Sequence, residues 1–191
     1  MHNLYLIIGR TASGKDSLTR AVAQKLGLKV LTSYATRPKR PGETNEHIFI
    51  NAEDVKQYQD DIVAYTKIGE YEYFTTKQQI FENDCYIIDP NGVKFLQEKL
   101  KDIPGIQLHL IYIAADYVTR KHRALTQRKD HLVTFELRCE AEEDQFIDFE
   151  CNRDWDLRIE NNNFQQAFDE LEHYIITMNS MEDNTNESKI K

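Results

Sequence analysis

The sequence predicts an α/β fold with a central parallel sheet. Three observations predict it. Residues 4–8 form a continuous apolar run closed by Gly9, as expected of a strand buried on both faces. A glycine-bearing loop and a helical pattern over 17–26 follow, the pattern carried by Leu18, Ala21, Val22 and Leu26 and stopped by Gly27. Further buried runs recur at 86–89, 108–113 and 157–159, alternating with helical periodicity at 93–100, 116–125, 134–149 and 164–178.

The remaining elements are shorter. Residues 30–32 read as a second strand, and 36–43 as a loop holding Pro38, Pro41 and Gly42. Short strands are expected at 47–50 and within 62–74, around a helix at 52–59. Residues 126–131 are polar and basic and read as an exposed loop. The stretch 179–191 lacks periodicity and is expected to be disordered.

A chain of 191 residues with no internal repeat fits one compact domain. The net charge of -8 excludes a global basic footprint for nucleic acid, so a protein that handles phosphates must gather its positive charge locally. Cys85, Cys139 and Cys151 lack metal-ligand spacing and read as reduced thiols. The apolar run at 4–8 is too short for a signal core or a membrane span, so a cytoplasmic protein with no membrane contact is expected.

Gly9-Arg10-Thr11-Ala12-Ser13-Gly14-Lys15 matches G-x-x-x-x-G-K between a predicted strand and a predicted helix, the context that a phosphate-binding loop requires. The glycines let the backbone curl so that successive N–H groups face a phosphate, and the helix N-terminus adds its positive dipole end. Gly9, Ser13, Gly14, Lys15, Asp16 and Ser17 are the candidate ATP contacts, with Lys15 bridging the outer phosphates. Asp16 stands where a hydroxyl residue usually follows the lysine. Either Asp16 serves Mg²⁺, or it caps the helix and Ser17 supplies the hydroxyl.

Ser33-Tyr34-Ala35-Thr36-Arg37-Pro38-Lys39-Arg40-Pro41-Gly42-Glu43 holds two guanidinium groups three residues apart on a proline-stiffened loop, an arrangement suited to a phosphate dianion. The segment resembles the guanylate kinase motif S-x-T-T-R-x-x-R-x-G-E, with Ala35 in place of the first threonine. The resemblance extends over 4–175. It implies that Ser33 contacts the acceptor base, that Arg37 and Arg40 grip its phosphate, and that Glu43 belongs to the same acceptor loop. Tyr71-Glu72-Tyr73-Phe74-Thr75-Thr76 is similar to N-Y-Y-G-x-T and implies that Tyr73 binds the acceptor phosphate. Residues 87–92 are similar to D-I-D-x-Q-G and place Asp89 at the second aspartate, toward Mg²⁺ or the acceptor, its bland alternative being a helix cap. Arg128 and Arg138 fall on lid arginines, and Asn161 falls near the adenine of ATP. Arg120 and Arg123 lie on the same stretch, where helix-surface arginines are commonly just solvated.

The resemblance implies a P-loop NTPase fold over 1–178, with an acceptor-binding subdomain at 33–84 and a lid at 116–140. It implies ATP-dependent phosphoryl transfer to a nucleoside monophosphate, GMP foremost, with Mg²⁺ as cofactor and Lys15, Arg37, Arg128 and Arg138 as catalytic residues. The expected partners are small-molecule nucleotides; oligomeric state is not given by the sequence. Three departures bear on the acceptor. Ala64 aligns with the guanine-reading glutamate, His47 with a base-side tyrosine, and Phe74 with the glycine of N-Y-Y-G. Glu46, Glu70 or Glu72 is a possible substitute acceptor group. A deoxynucleoside monophosphate or a ribose bisphosphate is the alternative substrate, and a non-catalytic binding module the alternative of another class; the intact Gly14-Lys15 pair speaks against the module.

Overall fold

A computed structural model of the chain describes residues 1–39, 47–101 and 103–188. In chain order the elements are β1 (His2–Ile8), α1 (Lys15–Leu26), β2 (Tyr34–Ala35), β3 (Ile48–Phe49), a 3₁₀ segment at Ala52–Tyr58, β4 (Ile62–Ile68), β5 (Tyr71–Thr76) and α2 (Lys77–Glu82). There follow β6 (Cys85–Ile87), α3 (Pro90–Leu100), β7 (Ile106–Ala114), α4 (Tyr117–His122) running into a π turn at Arg123–Gln127, α5 (Leu132–Asn152), β8 (Leu157–Glu160) and α6 (Phe164–Ser188).

The central sheet has the order β6-β1-β7-β8, and every pairing in it is parallel. Its strands are covered on both faces, which is why they read as unbroken apolar runs. Leu4, Leu6 and Ile8 of β1 point to a core shared with Val93 and Leu96 of α3 and Phe146 and Phe149 of α5. Tyr5 and Ile7 point the other way, to Leu18 and Val22 of α1 and Leu171 and Ile175 of α6. The second sheet, β3-β2-β5-β4, is mixed: β2 runs parallel to β3, while β5 is antiparallel to both β2 and β4. α3 packs against β4 and joins the two sheets.

Several expectations need correction. Residues 30–32 form no strand; Val30 makes a single parallel bridge to Cys85, the edge of the sheet being too short to extend. The helix α2 was not legible as periodicity. It is set by a capping box in which Thr76 and Gln79 satisfy each other's backbone N–H groups. α6 carries on into the stretch expected to be disordered and ends at Ser188. Asn179 anchors it, since its Oδ1 accepts from Tyr5 Oη at 2.7 Å and from Asn3 Nδ2 at 3.0 Å. Among the described residues, no helix is long and apolar enough to cross a membrane.

Candidate active site

The loop after β1 curls because its backbone adopts conformations that glycine tolerates best. Gly14 has φ +84° and caps α1, and Ala12 is held at φ 59°. A side chain at Gly14 would also collide with Asn161, its Cβ lying 2.5 Å from Nδ2. At Gly9 a Cβ would meet the Ile113 carbonyl at 2.6 Å. Close approach therefore demands glycine at both positions, and the left-handed backbone demands it at Gly14 as well.

Side chains from distant segments hold the loop. Asn161, 1% exposed, donates from Nδ2 to the Ser13 carbonyl at 2.8 Å. Arg123 donates to the same carbonyl at 3.0 Å and to the Asn161 carbonyl at 2.7 Å. Arg120 is buried and donates to the Thr11 carbonyl at 3.2 Å. Arg120 and Arg123 are thus not solvated helix-surface charges but staples on the loop. The Thr11 N–H meets both oxygens of Glu142, at 2.8 and 2.9 Å. Arg10 turns away from the loop to bind Glu150 and Glu143 and lies over the Phe146 ring.

A cavity of about 340 Å³ opens beside the loop. Of the residues singled out in the sequence, it gathers Gly9, Lys15, Asp16, Ser33, Arg37, Tyr73, Asp89, Arg128 and Arg138 on one wall or another. Ser13, Gly14, Ser17 and Asn161 are not part of its lining, and Arg40 and Glu43 lie outside the described residues. Asn161 sits behind the loop as a brace, not on the cavity wall. Ser17 is exposed on the first turn of α1.

The charged groups are arranged in pairs. Lys15 Nζ lies 3.5 Å from the Asp16 carboxylate. Neighbouring protein atoms work against the charge on the exposed Asp16, but Lys15, backed by Arg128 and Arg20, outweighs them and holds the carboxyl below its ordinary range. Gly14 caps α1 and no side chain does, so Asp16 is not the helix cap. Arg128 and Arg138 share one carboxylate, Asp130, at 3.6 and 3.1 Å. Arg37 is buried, donates to the Pro38 carbonyl at 3.1 Å and lies over Phe49 at 5.1 Å.

Toward the second sheet, Asp89 is the N-cap of α3; its Oδ1 accepts from the Gly92 N–H at 2.9 Å and from Thr66 Oγ1 at 3.0 Å. Burial pushes its carboxyl up against those two hydrogen bonds. Ser33 Oγ lies 3.0 Å from His47 Nδ1, and His47 meets Tyr73 edge-on at 5.4 Å between centroids. The hairpin register pairs Thr66 with Tyr73, and it is Thr66 that lines the cavity. Ala64 is buried in the core and does not line it. The Glu72 carboxylate accepts from Tyr65 Oη at 2.6 Å and faces a separate cavity beside Phe95. Asp89 is therefore the carboxylate that lines the cavity beside Thr66.

The donor set suits a hard cation. Asp16 supplies a carboxylate kept ionised beside Lys15, and Asp89 a second on the same cavity. No cluster of three or more acidic, histidine or cysteine side chains among the described residues forms a chelating cage. Two carboxylates are what Mg²⁺ takes before completing its shell from water and phosphate.

Comparison with known proteins agrees with this architecture. The guanylate kinase family profile matches residues 1–178. A guanylate kinase of Coxiella burnetii is 25% identical over 98% of this chain and 93% of its own length. One of Pseudoalteromonas translucida is 31% identical over 55% of each chain. The crystal structure of guanylate kinase from Anaplasma phagocytophilum superimposes with a TM-score of 0.64 at 13% identity, covering 93% of this chain and 86% of that one, which establishes the common fold. With the profile spanning the parallel sheet, the phosphate loop and the second sheet alike, the chain belongs to the guanylate kinase family.

Proposed function

We propose that this chain is a cytoplasmic nucleoside-monophosphate kinase that transfers the terminal phosphate of ATP to GMP. The observation that carries the reading is the joint presence, in one cavity, of Lys15 on the phosphate loop and Arg37 just beyond β2 of the second sheet, with Arg128 and Arg138 on the same lining. Phosphoryl transfer needs positioning and charge neutralisation more than covalent chemistry. In this reading Lys15 and the loop amides hold the ATP tail, with Gly9, Gly14 and Ser13 shaping the loop. Arg37, Tyr73 and Arg40 hold the acceptor phosphate, whose oxygen attacks in line. Arg128 and Arg138 cover the transferring group, leaving Asp130 for it. Asp16 and Asp89 would hold Mg²⁺, which neutralises phosphate charge. The lid at 116–140 excludes water during transfer. The free thiols of Cys85, Cys139 and Cys151 support the cytoplasmic setting.

Thr66 at the cavity wall favours a second reading, broader acceptor use. Guanine offers N–H donors at its N1 and N2 positions, and a carboxylate is their natural partner. Here Asp89 and Ser33 remain for that edge, while Thr66 presents a hydroxyl already given to Asp89. A site that lacks a hydrogen-bonding partner rejects analogues weakly. The test is kcat/KM for GMP, dGMP, AMP and IMP with ATP and Mg²⁺. GMP turnover is expected, with a preference over AMP below about a thousandfold. No turnover of any of the four would overturn the nucleotide reading and leave a sugar-phosphate acceptor.

A further inference from the structure

We propose that Glu142 is an internal competitor for the donor phosphate: its carboxylate occupies the Thr11 amide of the phosphate loop and must leave it before a triphosphate can seat. The inference rests on the kinase reading above, and concerns a residue with no assigned role in it.

The geometry is that of an anion site already filled. The Thr11 N–H is one of the outward-facing donors of the loop, and it meets both Glu142 oxygens at 2.8 and 2.9 Å. Thr11, Glu142 and Lys15 line the same cavity. A backbone N–H pointing at an anion is the interaction a phosphate-binding loop offers its ligand, and a carboxylate satisfies it as a phosphate oxygen does. Glu142 is only 14% exposed, so its charge is little screened by water. A triphosphate bound to Lys15 would lie beside a second, poorly solvated negative charge. Either the carboxylate moves or the phosphates bind against it.

A place to move to is present. Arg120 NH1 lies 3.8 Å from Glu142 while donating to the Thr11 carbonyl. The displaced carboxylate can close on that guanidinium. Glu142 also stands one helical turn beyond Arg138 on α5, so one helix brings both an attractive and a repulsive group to the phosphate region. The same matching recurs around it, with Lys15 beside Asp16 and the two lid arginines on Asp130.

The test is calorimetric titration of ATP–Mg²⁺, without acceptor, into wild type, Glu142→Gln and Glu142→Ala, with adenosine as a ligand that carries no phosphate. Glutamine keeps the shape and removes the charge, and urea denaturation of each ligand-free variant shows that it folds. Both variants are expected to bind ATP about tenfold tighter than wild type, a charged hydrogen bond no longer having to break, with adenosine affinity unchanged. ATP binding equal to or weaker than wild type in a folded variant would overturn the inference and make Glu142 a brace of the loop. Wild type that binds no ATP at all would overturn the kinase reading, and this inference with it.

Discussion

Asn161→Ala separates two roles that one residue can have, reading adenine or bracing the loop. In the structure the side chain is 1% exposed and donates to the Ser13 carbonyl at 2.8 Å. Its loss removes one buried hydrogen bond, worth about 0.5–1.5 kcal/mol. Because Arg123 still donates to the same carbonyl at 3.0 Å, Ser13 is not left unpaired. The three deleted side-chain heavy atoms add a small-cavity cost of about 1 kcal/mol. The sum is roughly 1.5–2.5 kcal/mol, which lowers the folded-to-unfolded ratio by about 10- to 70-fold. Urea denaturation should show a lower midpoint with an unchanged slope. The choice between ATP and GTP as donor should stay as in wild type, because the side chain does not line the cavity. Unaltered stability together with a lost preference for ATP would refute the reasoning and return Asn161 to the adenine.

Arg37→Met should raise the acceptor KM or lower kcat while ATP affinity stays nearly constant, since Arg37 and Ser33 flank β2 and line the cavity with Tyr73 of β5; a collapse of ATP binding measured by calorimetry would mean that donor and acceptor sites are exchanged. Glu150→Gln should destabilise the protein near neutral pH. Burial opposes the charge on Glu150, but Arg10 and Tyr112 outweigh it and hold its carboxyl below the ordinary range. A depressed carboxyl stabilises the fold above its unfolded value of about 4.3 and loses that contribution as pH falls through the folded value. The gap between wild type and variant in denaturation midpoint should therefore close below about pH 4. A gap independent of pH would refute the role of the charge.

What could be read from the sequence was local. A strand buried on both faces is a continuous apolar run, and the phosphate loop is seven adjacent residues, so β1 and Gly9–Lys15 were both legible. Roles that depend on contacts between distant segments were not. Arg120 and Arg123 have the spacing of surface residues, and only the fold brings them to loop carbonyls 109 and 110 positions away. Asn161 follows a strand end, where a ligand contact and a loop brace look alike in sequence. That Thr66 lines the cavity while Ala64 does not was not legible, because the two stand two residues apart on one face of β4 and only the packing of α3 against that strand buries Ala64. α6 extends past Met178 because Asn179 is tied to Asn3 and Tyr5, a constraint carried by β1 and not by the polar segment itself.

The most direct measurement of the central claim is GDP formation from ATP and GMP by wild type and Lys15→Ala under the same Mg²⁺ concentration. Lys15 is the lysine of the phosphate loop and lines the cavity, and phosphoryl transfer depends on the charge it places on the ATP tail. The account expects wild type to form GDP and the variant, folded by circular dichroism, to be slower by about two orders of magnitude or more. Near-normal turnover by the variant would contradict it.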